Sequence, residues 1–175
     1  YAPDPSSQFA CTIGGNVATN SGGPHTLKYG VTTNHVLGME MVLSDGETVW
    51  LGTQPGSPED IDGCDLRGAA IGSEGMFGIV TRVLLRLIKA PQSCKTMLGI
   101  FESVDDAASA VSDIIAAGII PAALEMMDQL IIQAVEEAYK CGFPLDAGAV
   151  LIIELDGQKT GLPGLTDRIL DICKN

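Results

Sequence analysis

CTIGGNVATNSGG, residues 11–23, packs four glycines and five small polar side chains into thirteen positions. Glycine tolerates positive φ and lacks the Cβ that would hold a ligand away from the backbone. Successive N–H groups in such a loop can form a concave anion site. A second stretch, DLRGAAIGSEGMFGIVT at 65–81, repeats the composition with four more glycines. Neither stretch reads G-x-G-x-x-G after a strand, and neither is a Walker A loop. For one loop alone, tight turns and close packing account for the glycines. Two such loops, with Lys28-Tyr29-Gly30, tilt the reading toward a bound ligand. Glycine is 21 of 175 residues, against an average near 7%. Fourteen of these glycines lie in residues 1–93 and seven in 94–175.

Around the loops the first part is strand-rich. Val36–Leu43 alternates, with Leu37, Met39, Met41 and Leu43 on one face and Gly38, Glu40 and Val42 on the other. Asp45-Gly46 then leads into Glu47–Leu51, a strong hairpin signal. Ile79–Ile88 supplies a third alternating strand. Past Ala90-Pro91-Gln92-Ser93 the glycines thin out and the acids rise from nine against five bases to thirteen against five. Two parts, 1–93 and 94–175, are expected on these grounds, with Pro91 as the breaker.

The second part reads β-α-β-α-β-α. Met97–Phe101 is a strand, and Ser103 caps a helix that ends at Gly118. Ile119–Glu125 is the next strand, followed by a helix capped by Asp128 with Leu130, Ile131, Ala134, Val135 and Ala138 as its apolar stripe. Gly142 and Pro144 end that helix. Val150–Leu155 and a helix at Leu165–Lys174 complete the pattern. A ferredoxin-like unit would need one more strand. Glu125 and Glu154 read as acids facing solvent or a sheet edge, and this part contains no histidine.

Charge and composition exclude several classes. A net charge of −12 argues against nucleic acid, which demands clustered Lys and Arg. The sequence has no run of 18 apolar residues, the length that reads as a bilayer-spanning helix, and 46% hydrophobic content argues against disorder. Five scattered cysteines, at 11, 64, 94, 141 and 173, form no C-x-x-C pair. They read as reduced thiols of a cytoplasmic protein rather than a disulfide framework or zinc site. The same acid excess leaves few cations to neutralise a phosphate, so backbone N–H groups would have to do it.

The blocks PDPSS, TIGGNVATNSGG and GSEG..GIVT, taken together, resemble the vanillyl-alcohol-oxidase (PCMH-type) family of FAD-linked oxidases. The similar branch holds the D subunit of bacterial glycolate oxidase beside D-lactate and D-2-hydroxyglutarate dehydrogenases. SVDDAASAVSDIIAAGIIPAALEMMD and AGAVLIIELDG resemble the start of that family's cap domain. The resemblance implies an α+β fold: the C-terminal part of an FAD-binding domain at 1–93, then the N-terminal part of a cap with an antiparallel, ferredoxin-like sheet at 94–175. It also implies oxidation of a 2-hydroxy acid to the 2-oxo acid, with hydride passing to flavin N5.

Carried over residue by residue, Pro3, Asp4, Pro5 and Ser6 match the segment beside the isoalloxazine. Cys11, Thr12, Ile13, Gly14, Gly15 and Asn16 match a loop against flavin and pyrophosphate. Asn20, Gly22 and Gly23 match a second glycine turn, followed by Tyr29 and Gly30. Gly78, Ile79 and Val80 match a strand start near the adenine or ribose, while Ser73, Glu74 and Gly75 match a structural turn. Met76-Phe77 departs from the Thr-Leu more usual in this branch, which alters packing rather than backbone donors. His25 and His35 lie in the loops, with packing as the simpler reading for each. The resemblance supplies no catalytic and no metal residue within these 175 positions.

On this reading the family's first subdomain and the rest of its cap are missing from the chain. A chain of this extent is expected to hold FAD weakly or not at all, to be inactive alone, and to expose apolar surface. Iron–sulfur and flavin partner subunits, with peripheral attachment to the inner membrane through them, are implied for the glycolate oxidase branch. The alternative is a non-catalytic binding or assembly subunit that completes a flavin site with a partner chain.

Overall fold

Residues 1–57 and 63–174 are described by the computed structural model. The chain divides into two compact units, Tyr1–Lys89 and Ala90–Asn175. The mixed α+β class with antiparallel sheets is the one the sequence leads to.

The first unit runs α1 (Ile13–Thr19), α2 (Thr26–Tyr29), β1 (Val36–Val42), β2 (Thr48–Gly52), α3 (Leu66–Ala70) and β3 (Ile79–Leu85). Its strands form an antiparallel sheet in the order β2-β1-β3. The Asp45-Gly46 turn closes the hairpin. Leu43 N donates to Glu47 O at 2.8 Å, and Gly46, at φ +87°, donates back to Leu43 O.

The alternation visible in β1 and β3 is interrupted twice. Val36 pairs with Leu85 and Gly38 with Leu84, so Leu37 is an extra residue; Glu40 pairs with Arg82 and Met41 with Val80, so Thr81 is another. Each bulge turns the following residues to the other face. Val36 thereby joins Met39 and Met41 in one core, and Val80 joins Val83 and Leu85 there. A strict period of two would have put Val36 and Val80 outside. β3 also stops at Leu85, leaving Leu87 71% exposed.

Both glycine-dense stretches hold a short helix that their composition conceals. Glycine is a poor helix former, yet Thr12 Oγ1 accepts from Gly15 N at 3.1 Å to start α1. Asp65 Oδ1 accepts from Gly68 N at 2.9 Å to start α3. That backbone donor, assisted by Arg67, holds the Asp65 carboxyl below the usual carboxylate range. Val17 of α1, with Ala70 and Ile71, closes over the sheet.

The second unit runs β4 (Ser93–Phe101), α4 (Val104–Ala116), β5 (Ala123–Asp128), α5 (Gln129–Tyr139), β6 (Ala149–Gly157) and α6 (Leu162–Ile172). The sheet order is β4-β6-β5, antiparallel throughout. Central β6 presents Leu151, Ile153 and Leu155 to a core shared with Ile114 of α4 and Ile169 of α6. Val150 packs in a second cluster with Ile132 of α5. Ser103 caps α4 as its spacing predicts, its Oγ accepting from Asp106 N at 3.1 Å, and Gly118 follows at φ +74°.

Three expectations shift here. The strand placed at Ile119–Glu125 begins only at Ala123. Pro121 lacks the N–H a ladder needs, and Ile119, Pro121 and Ala122 are buried instead. The expected stripe of α5 is rotated: Ile132 is fully buried, whereas Leu130 and Ile131 are 74% and 50% exposed. The Asp128 cap is where the sequence places it, its Oδ1 accepting from Ile131 N; packing of Ile132 against Ala147 and Val150 is what turns the helix. Finally, α6 starts at Leu162, with Pro163 in its first turn, where proline's missing N–H is harmless.

Candidate functional site

Helix α1 stands between two clefts of the first unit. One, of about 240 Å³, is lined by Gly14, Gly15 and Ala18 of α1, by Ala70, and by Ser73, Glu74, Gly75, Gly78, Ile79 and Val80. It therefore joins the two glycine stretches, through lining residues that lie more than fifty positions apart in sequence. The junction is backbone to backbone. Gly72 N donates to Val17 O and Glu74 N to Ala18 O, both at 2.9 Å. The other cleft, of about 380 Å³, is lined by Tyr1, Asp4, Pro5, Gln8, Cys11, Ile13, Asn16 and Leu85. Of the eighteen cofactor-contact candidates, Gly14, Gly15, Gly78, Ile79 and Val80 share the first cleft, and Asp4, Pro5, Cys11, Ile13 and Asn16 share the second.

The remaining candidates build the frame. Pro3 is buried, Ser6 is exposed, and Thr12 caps α1. Asn20 ends α1 in the left-handed region at φ 47°, its Oδ1 accepting from both Thr33 N and Thr33 Oγ1. Gly23 is glycine for a packing reason: a Cβ there would lie 2.2 Å from Asp4 O and 2.4 Å from Pro3 O. That closeness locks the 20–23 turn against the 3–6 segment. Gly22 sits similarly against Thr26, and Gly30 against Asn34. Tyr29 O accepts from the buried His35 ring at 2.8 Å.

Gly14 and Gly15 differ from these. A Cβ on Gly14 would find its nearest protein atom, Val80 O, only at 4.0 Å, and one on Gly15 would meet only the Thr12 hydroxyl at 3.3 Å. Neither has a positive φ. Alanine would suit a helix better at both, so packing within the chain gives no reason for glycine at Gly14 and little at Gly15. Both open onto the cleft.

The N–H account narrows the anion reading. Gly15 N is spent on Thr12 Oγ1 and Gly23 N on Thr26 Oγ1, while Asn16, Asn20 and Gly30 donate to backbone carbonyls. Ile13 and Gly14, the first two residues of α1, have no carbonyl four residues back inside the helix. Among the described residues no Lys or Arg lines either cleft. Sequence reasoning missed Ala18 and Ala70, whose small side chains keep the cleft open, and Gln8 and Leu85 on the other side. Only their nearness to the loops could have marked them.

His25 pairs with Asp4, its Nδ1 lying 3.5 Å from Asp4 Oδ2. His35 is buried, with Tyr1 edge-on to its ring at 6.0 Å between centroids. Burial pushes the Tyr1 hydroxyl above its ordinary value. Elsewhere in this unit a wholly apolar cavity of about 330 Å³ lies between β1, β2 and α3, with Phe77, one half of the Met76-Phe77 departure, on its wall. All five cysteines are free. Among the described residues no cluster of His, Cys, Asp or Glu is placed to hold a metal, and no helix is long and apolar enough to cross a membrane.

Residues 1–52 match the FAD binding domain family, and residues 90–174 match the C-terminal domain of FAD linked oxidases. The two matches follow one another along the chain, which belongs to the PCMH-type FAD-linked oxidases. Glycolate oxidase subunit GlcD of Escherichia coli strain K12 is 48% identical over 172 residues, covering 98% of this chain and 34% of that protein. The subunit of the same name from Bacillus subtilis is 46% identical, covering 99% and 37%. A D-lactate dehydrogenase of Anaerostipes hadrus is 37% identical, covering 90% and 34%. Solved structures of alkyldihydroxyacetonephosphate synthase share the fold, one with a TM-score of 0.77 at 24% identity over 99% of this chain and 35% of that one. The chain thus spans about a third of the length of the curated relatives it matches.

Proposed function

We propose that this chain forms part of an FAD-dependent 2-hydroxy-acid oxidoreductase of the glycolate or D-lactate type. Its first unit would contribute the C-terminal part of the FAD-binding domain and its second the N-terminal part of the cap. The observation that carries the reading is the glycine-lined cleft at α1. Two sequence-distant loops converge there, and a Cβ on Gly14 would meet, among the described residues outside its own helix, nothing nearer than Val80 O at 4.0 Å. The residues fit a dinucleotide in that respect: Gly14, Gly15, Gly78, Ile79 and Val80 would receive one stretch of it, and Asp4, Pro5, Cys11, Ile13 and Asn16 another.

FAD, when bound, supplies the hydride-accepting chemistry by which a 2-hydroxy acid becomes a 2-oxo acid. The chain's own residues do the holding. Ile13 and Gly14 present N–H groups without intrahelical partners, and the absence of lining cations leaves phosphate charge to backbone dipoles. Asn20, Gly22, Gly23, Tyr29 and Gly30 keep the neighbouring turns in place. The substrate class rests on the relatives, named as glycolate oxidase subunits and a D-lactate dehydrogenase. The word subunit in those names supports a multi-subunit complex, for which we propose an iron–sulfur partner as electron acceptor. A cytoplasmic location, peripheral to the inner membrane through such partners, belongs to the same proposal.

The test is to express the complete encoded protein and measure bound flavin, then bleaching of the flavin absorbance by glycolate and by D-lactate without oxygen. Stoichiometric FAD reduced by one of these acids is expected. A preparation without flavin, or flavin that neither acid reduces, overturns the reading.

A further inference from the structure

We propose that His35 is a positioning residue for the flavin loops, a role that rests on the functional reading above. His35 is 4% exposed, and its Nε2 lies 2.8 Å from the carbonyl oxygen of Tyr29. A carbonyl can only accept, so Nε2 carries a proton and donates it to Tyr29 O. Among the described residues Nδ1 has no hydrogen-bond partner. A buried histidine held by one bond is a poor stabiliser compared with an apolar residue of similar volume, so what that bond fixes becomes the question.

It fixes a turn that the rest of the frame depends on. The His35 backbone is tied to the sheet, because Arg86 N donates to His35 O at 2.7 Å. Its ring therefore connects the β1–β3 end to the Tyr29-Gly30 peptide, whose N–H is already given to Thr26 O. That peptide plane is clamped on both sides. A second line starts from the ring's other neighbour. Thr32 Oγ1 donates to Ser21 O at 2.7 Å, so the Tyr1 hydroxyl, 2.5 Å away, must be the donor to Thr32. Tyr1 packs edge-on against the His35 ring. His35 thus lies where three candidate flavin segments meet: the one entered by Tyr1, the turn after Asn20, and Tyr29-Gly30.

The test compares His35→Gln, whose amide N–H can reach the same carbonyl, with His35→Leu, which cannot donate, in the complete encoded protein stripped of FAD. The readouts are the Kd for FAD and the visible circular dichroism of the bound flavin at saturation. H35L is expected to weaken FAD at least tenfold and alter the dichroism, while H35Q stays within about threefold with an unchanged spectrum. Should H35L fail to fold, Thr32→Val cuts the second line while keeping volume. It is expected to weaken FAD several-fold, with Thr32→Ser restoring affinity. Wild-type affinity and spectrum in H35L, or equal losses in H35L and H35Q, refute the positioning role, as do equal affinities in T32V and T32S. A wild-type protein that takes up no FAD refutes the flavin reading and this role with it.

Discussion

Replacing Gly14 with alanine separates a glycine kept for a ligand from one kept for the fold. Gly14 is in the first turn of α1, without a positive φ, and an added methyl would stand 4.0 Å from its nearest protein neighbour. The apo protein should therefore gain the helix-propensity difference between glycine and alanine, about 0.5–1 kcal/mol. The cleft loses the room that the methyl occupies. If FAD packs there, overfilling costs about 1–3 kcal/mol of binding, which is about a 5- to 150-fold rise in Kd. Urea denaturation of the apo protein reads the first effect, and fluorescence titration with FAD reads the second. The two must move in opposite directions. G14A that stabilises the apo form and binds FAD as tightly as wild type would refute the claim that this cleft receives the cofactor. G14A that destabilises the apo form would refute the packing account of the site.

Other consequences follow from single contacts. Glu136 accepts from Gly142 N at 3.0 and 2.9 Å and from Phe143 N at 3.1 Å, tying the end of α5 to the next loop. Glu136→Ala should lower the unfolding free energy by about 1–2 kcal/mol, seen as a lower urea midpoint, with Glu136→Gln losing less. Asp65 titrates below its unfolded value because Gly68 N holds its charged form. It therefore contributes stability above the unfolded pKa, and that contribution disappears as pH falls through the lower folded value. Asp65→Asn should be the less stable protein near neutrality, with the gap to wild type closing in acid melts; a pH-independent gap would count against the cap. Burial and the neighbouring Glu154 raise the Cys94 thiol, in that order. Glu154→Gln should speed its alkylation at slightly basic pH, read by mass spectrometry, and an unchanged rate would remove Glu154 as a cause.

Much of this architecture is local and so was legible. Asp45-Gly46 marks a hairpin because the glycine supplies the positive φ the turn requires, and Ser103 and Asp128 mark helix starts because their oxygens reach an N–H three residues on. The bulges at Leu37 and Thr81 were not legible. They depend on which residues of β3 oppose β1, and an alternating pattern carries no record of a slipped partner. The rotation of α5 has a similar origin, since Leu130, Ile131 and Ile132 are equally apolar and the contact with Val150 and Met127 decides which is buried. The helices inside the glycine stretches were hidden for the opposite reason: propensity argued against them, and capping plus packing on the sheet overrode it.

The site was legible as composition but not as geometry, and glycine shows why. Gly23 is fixed by Asp4, Gly38 by Thr53, Gly78 by Val42 and Gly148 by Glu102, in each case by a backbone atom that the fold brings against it. In sequence these look the same as Gly14. Only when the partner atoms are in place does Gly14 emerge as a glycine for which the chain supplies no partner. Counting glycines therefore points to the loops that line the clefts, but it does not separate the glycines fixed by a backbone neighbour from those that open onto a cleft. The more selective signal is a helical glycine with normal φ, open space beyond its Cα and a cleft beside it; Gly164 of α6 meets the first three conditions but lines neither cleft. By that criterion the cofactor reading rests chiefly on Gly14, with Gly15 beside it, and the turns at 20–23 and 29–30 act by holding the backbone around them.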